Sequence, residues 1–186
     1  MLDHQKIAQS LNILAIFFRY APDTENFQAV ARYFESNWTS SWAVNIPEKY
    51  DLSALSDLAR LPLDVWKRHF GIEYSLAVPP WGSVYTDPEE VLYGESTMRL
   101  QSELGALGME FALSDKEPVD HIGLIFMVMA NIALSGQLDY LSDFQEKHLT
   151  PWVNEYVCKL RDNVDSSTIL AMIDLVEVTL RGVRLS

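Results

Sequence analysis

A single cysteine, Cys158, is all the chain carries, so an intramolecular disulfide is excluded and an oxidising compartment is not implied. Bases are scarce as well: 14 Lys and Arg stand against 26 Asp and Glu, for a net charge of -12. That balance argues against a nucleic-acid backbone or an anionic membrane as partner. It suits a basic partner, or solubility alone. The longest apolar run, Ile122 to Leu134, is interrupted by Gly123 and Asn131 and is too short to span a bilayer. The first residues, Met1-Leu2-Asp3-His4-Gln5-Lys6, show neither a basic n-region nor a small-residue cleavage site. A soluble, cytoplasmic protein with no membrane insertion is expected.

Motifs that carry reaction chemistry are equally sparse. His4, His69, His121 and His148 are scattered, and none falls at ligand spacing with another His or Cys, so neither a metal nor a cofactor is expected. No phosphate-cradling glycine loop and no dinucleotide fingerprint occur. Ser83 lacks the setting of a nucleophile elbow, and Cys158, among apolar neighbours, reads as a buried, inert thiol. Asp120-His121 remains as an acid–base candidate. Its plainer reading is helix initiation, with Pro118 at the first helical position and Asp120 favouring the dipole from the first turn. Adjacent helical residues also point about 100° apart and cannot orient each other. A binding protein is expected rather than an enzyme.

What the chain does have is helical periodicity. Ile7, Leu11, Leu14 and Phe18 define a first helix ended by Pro22, and Phe27, Val30 and Phe34 a second over Asp23–Ser36. After an irregular stretch holding Trp38, Trp42 and Pro47, short helices fit Leu52–Arg60 and Leu63–Phe70. Trp66 and Phe70, four apart, share a side of the latter. Further helices fit Glu95–Leu107, Pro118–Leu134, Leu138–His148, Trp152–Arg161 and Ser166–Arg181. The segment to Leu134 is apolar all round, as a central buried helix would be. Trp152 reads as a packing residue at a helix junction. The expectation is an all-α bundle of about nine to ten helices in one domain. A long loop, residues 75–94, joins its N-terminal and C-terminal groups.

That loop is the most informative stretch. Pro79 and Pro80 stiffen its entry, Trp81 follows, Gly82 permits a turn, and Tyr85 adds a second ring. Helix connections are ordinarily short and polar. Rings on a stiffened loop make a recognition surface at low entropic cost, or else plug a core beneath the loop.

Three motifs in order carry a resemblance. Pro79-Pro80-Trp81-Gly82-Ser83-Val84-Tyr85, continuing to Val91-Leu92-Tyr93-Gly94, resembles the loop of the TorD/DmsD family. Glu117-Pro118-Val119-Asp120-His121 resembles that family's E-P-x-D-H, and His148-Leu149-Thr150-Pro151-Trp152 its H-L-x-P-W. The likeness is close from Trp66 to Trp152, and strongest to members serving dimethyl sulfoxide reductase-type enzymes. It implies an all-helical cytoplasmic chaperone that binds the twin-arginine leader of a molybdenum oxidoreductase catalytic subunit. Such a chaperone holds back export until cofactor insertion is complete, with the Tat translocon as a further candidate partner.

The leader-binding residues implied are Trp66, Phe70, Tyr74, Trp81, Gly82, Ser83, Tyr85, Pro118, Asp120 and His121. Tyr74 and Tyr85 stand where close relatives carry tryptophan, and His69 where an aliphatic residue is usual. In this reading the rings take the leader's apolar segment, Asp120 and the acidic surface draw its arginines, and His121 lends a pH dependence. Two alternatives stay open. One is a chaperone of the same fold acting on the mature client during cofactor insertion; the other is a small nucleotide-binding or hydrolytic enzyme built on Asp120-His121. Either a monomer or a dimer swapped at the long loop is compatible with the sequence.

Overall fold

Helix α1 (His4–Arg19) starts where the Asp3 carboxylate accepts the backbone N–H groups of Gln5 and Lys6. Thr24 does the same for α2 (Glu25–Phe34) through the Phe27 N–H, which sets its start; the helix is shorter at both ends than the expected Asp23–Ser36. The computed structural model describes residues 3–71, 75–87, 92–109 and 117–184. Two 3-10 helices, Trp38–Ser41 and Ser53–Arg60, occupy the stretch that follows α2. The second corrects the expected α-helix over Leu52–Arg60: the segment winds more tightly. Then come α3 (Leu63–Phe70), a single turn α4 (Ser83–Thr86), α5 (Glu95–Ala106), α6 (Ile122–Leu134), α7 (Leu138–His148), α8 (Thr150–Asn163) and α9 (Ser167–Arg184). The described residues are all-helical apart from one isolated β-bridge.

The all-apolar α6 runs against α1, its principal partner, so a helix from beyond the loop packs on one from before it. Phe17 and Phe18 of α1 meet edge-to-face at 5.2 Å, and Phe70 of α3 lies against both, at 5.3 and 5.4 Å. Helix α9 closes the other side against α1, α7, α8 and the second 3-10 helix. The Trp42 indole pins the irregular stretch to α9 by donating to the Thr179 hydroxyl at 2.9 Å. No described helix is long and apolar enough to cross a membrane.

Two local expectations are corrected. Helix α6 begins at Ile122, not at Pro118, and His121 is its N-cap, the ring Nδ1 accepting the Gly123 N–H at 3.0 Å. Asp120 therefore precedes the helix instead of sitting in its first turn. Cys158 is exposed: Val157 takes the inward direction, and the next residue on α8 is turned about 100° away from it.

Candidate peptide-binding site

Two distant motifs are stitched together by their backbones. Trp81 and His121 form the antiparallel bridge, with Ile122 N–H donating to the Pro80 carbonyl at 2.9 Å and Gly82 N–H to the Asp120 carbonyl at 3.2 Å. The Asp120 carboxylate then accepts the Ser83 N–H at 2.7 Å, so both polar ends of one residue are spent on the loop. The Trp81 ring meets the His121 imidazole edge-on at 5.9 Å. Pro80 and Pro118, which cannot donate, lie buried on either side of this junction.

The third motif forms the opposite wall. Trp152 stacks on Tyr85 with centroids 5.7 Å apart and planes 13° from parallel. Its indole donates to the His148 carbonyl at 2.8 Å, and the Tyr85 hydroxyl to the Pro79 carbonyl at 2.7 Å. Burial, and then the nearby Glu155 carboxylate, push the Tyr85 phenol far above its ordinary value. Gly82 is required where it stands, since a Cβ there would lie 2.7 Å from Trp152 Nε1. Between these walls is a cavity of about 130 Å³ to which Gly82, Asp120, His148, Pro151 and Trp152 contribute, with Ser96 and Arg99 from α5.

Beneath the junction, Glu117 is an almost fully buried carboxylate paired with Arg19 and 3.3 Å from His121 Nε2. Desolvation, then the Arg19 charge, hold the His121 imidazole well below its ordinary value. A neutral ring accepting through Nδ1 carries its proton on Nε2, facing Glu117. The expected pH dependence through titration of His121 is thus corrected: burial keeps the ring neutral.

The junction is also where hydrogen bonding is incomplete. Trp81 Nε1, Ser83 Oγ and Asp120 Oδ1 are all buried and without a hydrogen-bond partner. Buried polar atoms are rarely left so, and these three belong to residues of the same junction.

Of the residues the sequence singled out, Trp81, Gly82, Ser83, Tyr85, Pro118, Asp120 and His121 are brought together. Trp66 and Phe70 are not at the cavity. They are 5% and 1% exposed, and the Trp66 indole donates to the Phe17 carbonyl at 2.9 Å inside the aromatic core. With Trp81 at 8%, the rings close the structure and do not form an open apolar surface. Tyr74 lies outside the described residues.

The model of the TorD/DmsD family, described as nitrate reductase delta subunit, matches residues 63–157. The chain belongs to this family. The Tat proofreading chaperone DmsD of Salmonella paratyphi A is 29% identical over 189 residues, covering 96% of this chain and 89% of that protein. The same-named protein of Salmonella typhimurium is 27% identical over 183 residues, again 96% and 89%. The chaperone protein TorD of Vibrio cholerae is 32% identical over 85 residues, 40% of this chain and 38% of its own. These TorD/DmsD proteins carry the names of chaperones, not of enzymes.

In this TorD/DmsD member a polar cluster not singled out in the sequence ties α5 to α7. Glu103 accepts from the Tyr140 hydroxyl at 2.7 Å, lies 2.9 Å from His148 Nε2, and pairs with Lys147. The available signal was the spacing of Tyr140, Lys147 and His148, which puts them on one side of α7. Desolvation works to raise the Glu103 pKa, but the bonds from Lys147, Tyr140 and His148 prevail and hold it at about 2. Its ordinary value is 4.5, so its contribution to stability is complete above that pH and is lost as pH falls toward about 2. Thermal melts across that window are expected to show a steeper acid loss for the wild type than for Glu103→Gln. Parallel curves would mean the cluster does not hold α5 in place.

Proposed function

We propose that this protein is a cytoplasmic chaperone that binds the twin-arginine leader of a molybdenum oxidoreductase catalytic subunit of the dimethyl sulfoxide reductase type. It holds the precursor back from the Tat translocon until cofactor insertion and folding are complete. The observation that carries the reading is the convergence of all three family motifs on one junction, with Trp81 Nε1, Ser83 Oγ and Asp120 Oδ1 left unpartnered there. The names of its relatives, Tat proofreading chaperones, support the same reading.

Leader binding in this account opens the loop. The extended leader supplies backbone N–H and C=O groups to the unpartnered atoms, which relieves a penalty of about 1–3 kcal/mol for each. Its apolar segment replaces the contacts that Trp81 and Tyr85 make in the closed form, while Trp66 and Phe70 stay in the aromatic core. Its arginines meet Asp120 and the acidic surface, which favours encounter and selectivity. Gly82 and Pro118 shape the junction, and His121 fixes its position as the cap of α6.

Calorimetric titration with such a leader tests the reading, against a control peptide whose apolar region is scrambled and interrupted by charges. Saturable binding of the leader alone is expected. Absence of heat with several leaders would overturn it and leave the client-folding alternative. That alternative draws on the exposed Leu92, Tyr93, Met98 and Leu107 in and around α5.

A further inference from the structure

A second, larger cavity of about 310 Å³ lies among α7, α8 and α9, at the lower edge of the range for small-ligand sites. Helix α8 serves both cavities: Pro151 and Trp152 line the first, Val153 and Val157 the second. Val153, Val157, Val176 and Leu180 make this cavity's apolar wall, and all four are buried.

Polar groups complete the lining. Gln145, itself buried, donates through Nε2 to the Leu180 carbonyl at 3.1 Å, which fixes the amide's orientation because the reverse would set two oxygens together. Its Oε1 is left as a buried acceptor without a donor. The exposed rim carries Arg181 and Arg184. Arg181 reaches the Tyr50 hydroxyl at 3.4 Å and Arg184 pairs with Glu146 at 2.5 Å. Glu177 also lines the space, but its carboxylate is engaged by Arg161 at 3.2 Å. Two cations at one rim are notable in a chain with 14 bases and 26 acids.

We propose that this cavity binds a small amphipathic anion, with its apolar body against Val153, Val157, Val176 and Leu180, its carboxylate or phosphate at Arg181 and Arg184, and an O–H or N–H donor directed to Gln145. The site is separate from the leader junction, and the inference does not depend on the leader reading.

The test uses the full chain without leader and follows the Gln145 side-chain amide by NMR during titration with 4-hydroxyphenylacetate. Phenylacetate, which lacks the donor, and tyramine, which exchanges the anion for a cation, are the comparisons. Saturable binding is expected, at least about tenfold tighter than either comparison, the scale of one satisfied buried acceptor. Exchanging both exposed arginines, Arg181→Gln with Arg184→Gln, is expected to weaken it by about tenfold or more, with the thermal midpoint and leader binding retained. Val153→Trp, which fills the cavity, abolishes it. Equal affinity for all three compounds, binding indifferent to both variants, or no saturation in the millimolar range would each overturn the proposal.

Discussion

Replacing Glu117 with alanine is expected to destabilise the fold by about 3–5 kcal/mol, the scale for removing one member of a buried charge pair. Its carboxylate faces both Arg19 of α1 and His121 at the start of α6, and all of it is shielded from water. Its loss removes the carboxylate 3.3 Å from His121 Nε2 and leaves the α1–α6 contact without its ion pair. Glu117→Gln keeps the shape and a polar group at the turn, so a smaller loss is expected. Urea unfolding with an unchanged m-value measures both. A cost below about 1 kcal/mol for the alanine variant would mean that this pair does not hold the turn ahead of α6.

Asp120 separates stability from recognition. In Asp120→Ala the buried Ser83 N–H loses its acceptor at 2.7 Å, at about 1.5–3 kcal/mol for a bond to a charged group. In Asp120→Asn the side-chain oxygen still accepts that N–H, so most of the stability is retained. Leader affinity is expected to fall about tenfold to a hundredfold in both, because the charge that meets a leader arginine is gone from both. The pair of variants, one stable and one weakened with the same binding defect, is read by thermal melts beside calorimetry. If Asp120→Asn bound the leader as the wild type does, Asp120 would act as a loop clasp only.

The helices were legible because burial repeats with the period of the helix. Ile122–Leu134 is apolar all round and is the central helix, and Leu63–Phe70 has the bounds expected of it. The start of α6 was not legible, and the reason is tertiary. Asp120 spends its carbonyl on Gly82 and its carboxylate on Ser83, so the chain turns over Val119 and Asp120 without starting the helix, and the His121 ring takes over as cap. Cys158 was misplaced for a simpler reason: apolar neighbours in sequence do not say which direction a helical side chain takes, and Val157 already faced inward.

Membership of the TorD/DmsD family was legible in the three motifs, one of them the loop's Pro79, Pro80, Trp81 and Gly82. Which rings would be covered was not. Trp66 and Phe70 carry the spacing of an apolar face, and that spacing is identical whether the face meets a ligand or, as here, Phe17 and Phe18. The clusters around Glu103 and Glu117 each join helices far apart in sequence; the spacing of Tyr140, Lys147 and His148 puts them on one side of α7 but does not name the carboxylate they meet.

The central claim, that a leader is received at the Trp81–Ser83–Asp120 junction, is tested most directly by the indole N–H signals of the five tryptophans during leader titration. Trp42, Trp66 and Trp152 already donate within the fold, whereas Trp81 Nε1 has no partner. The account predicts that the Trp81 indole proton moves downfield and saturates with the leader while those of Trp42 and Trp66 stay in place. Leader binding of the same affinity with the Trp81 signal unmoved would contradict it and place the leader elsewhere on the bundle.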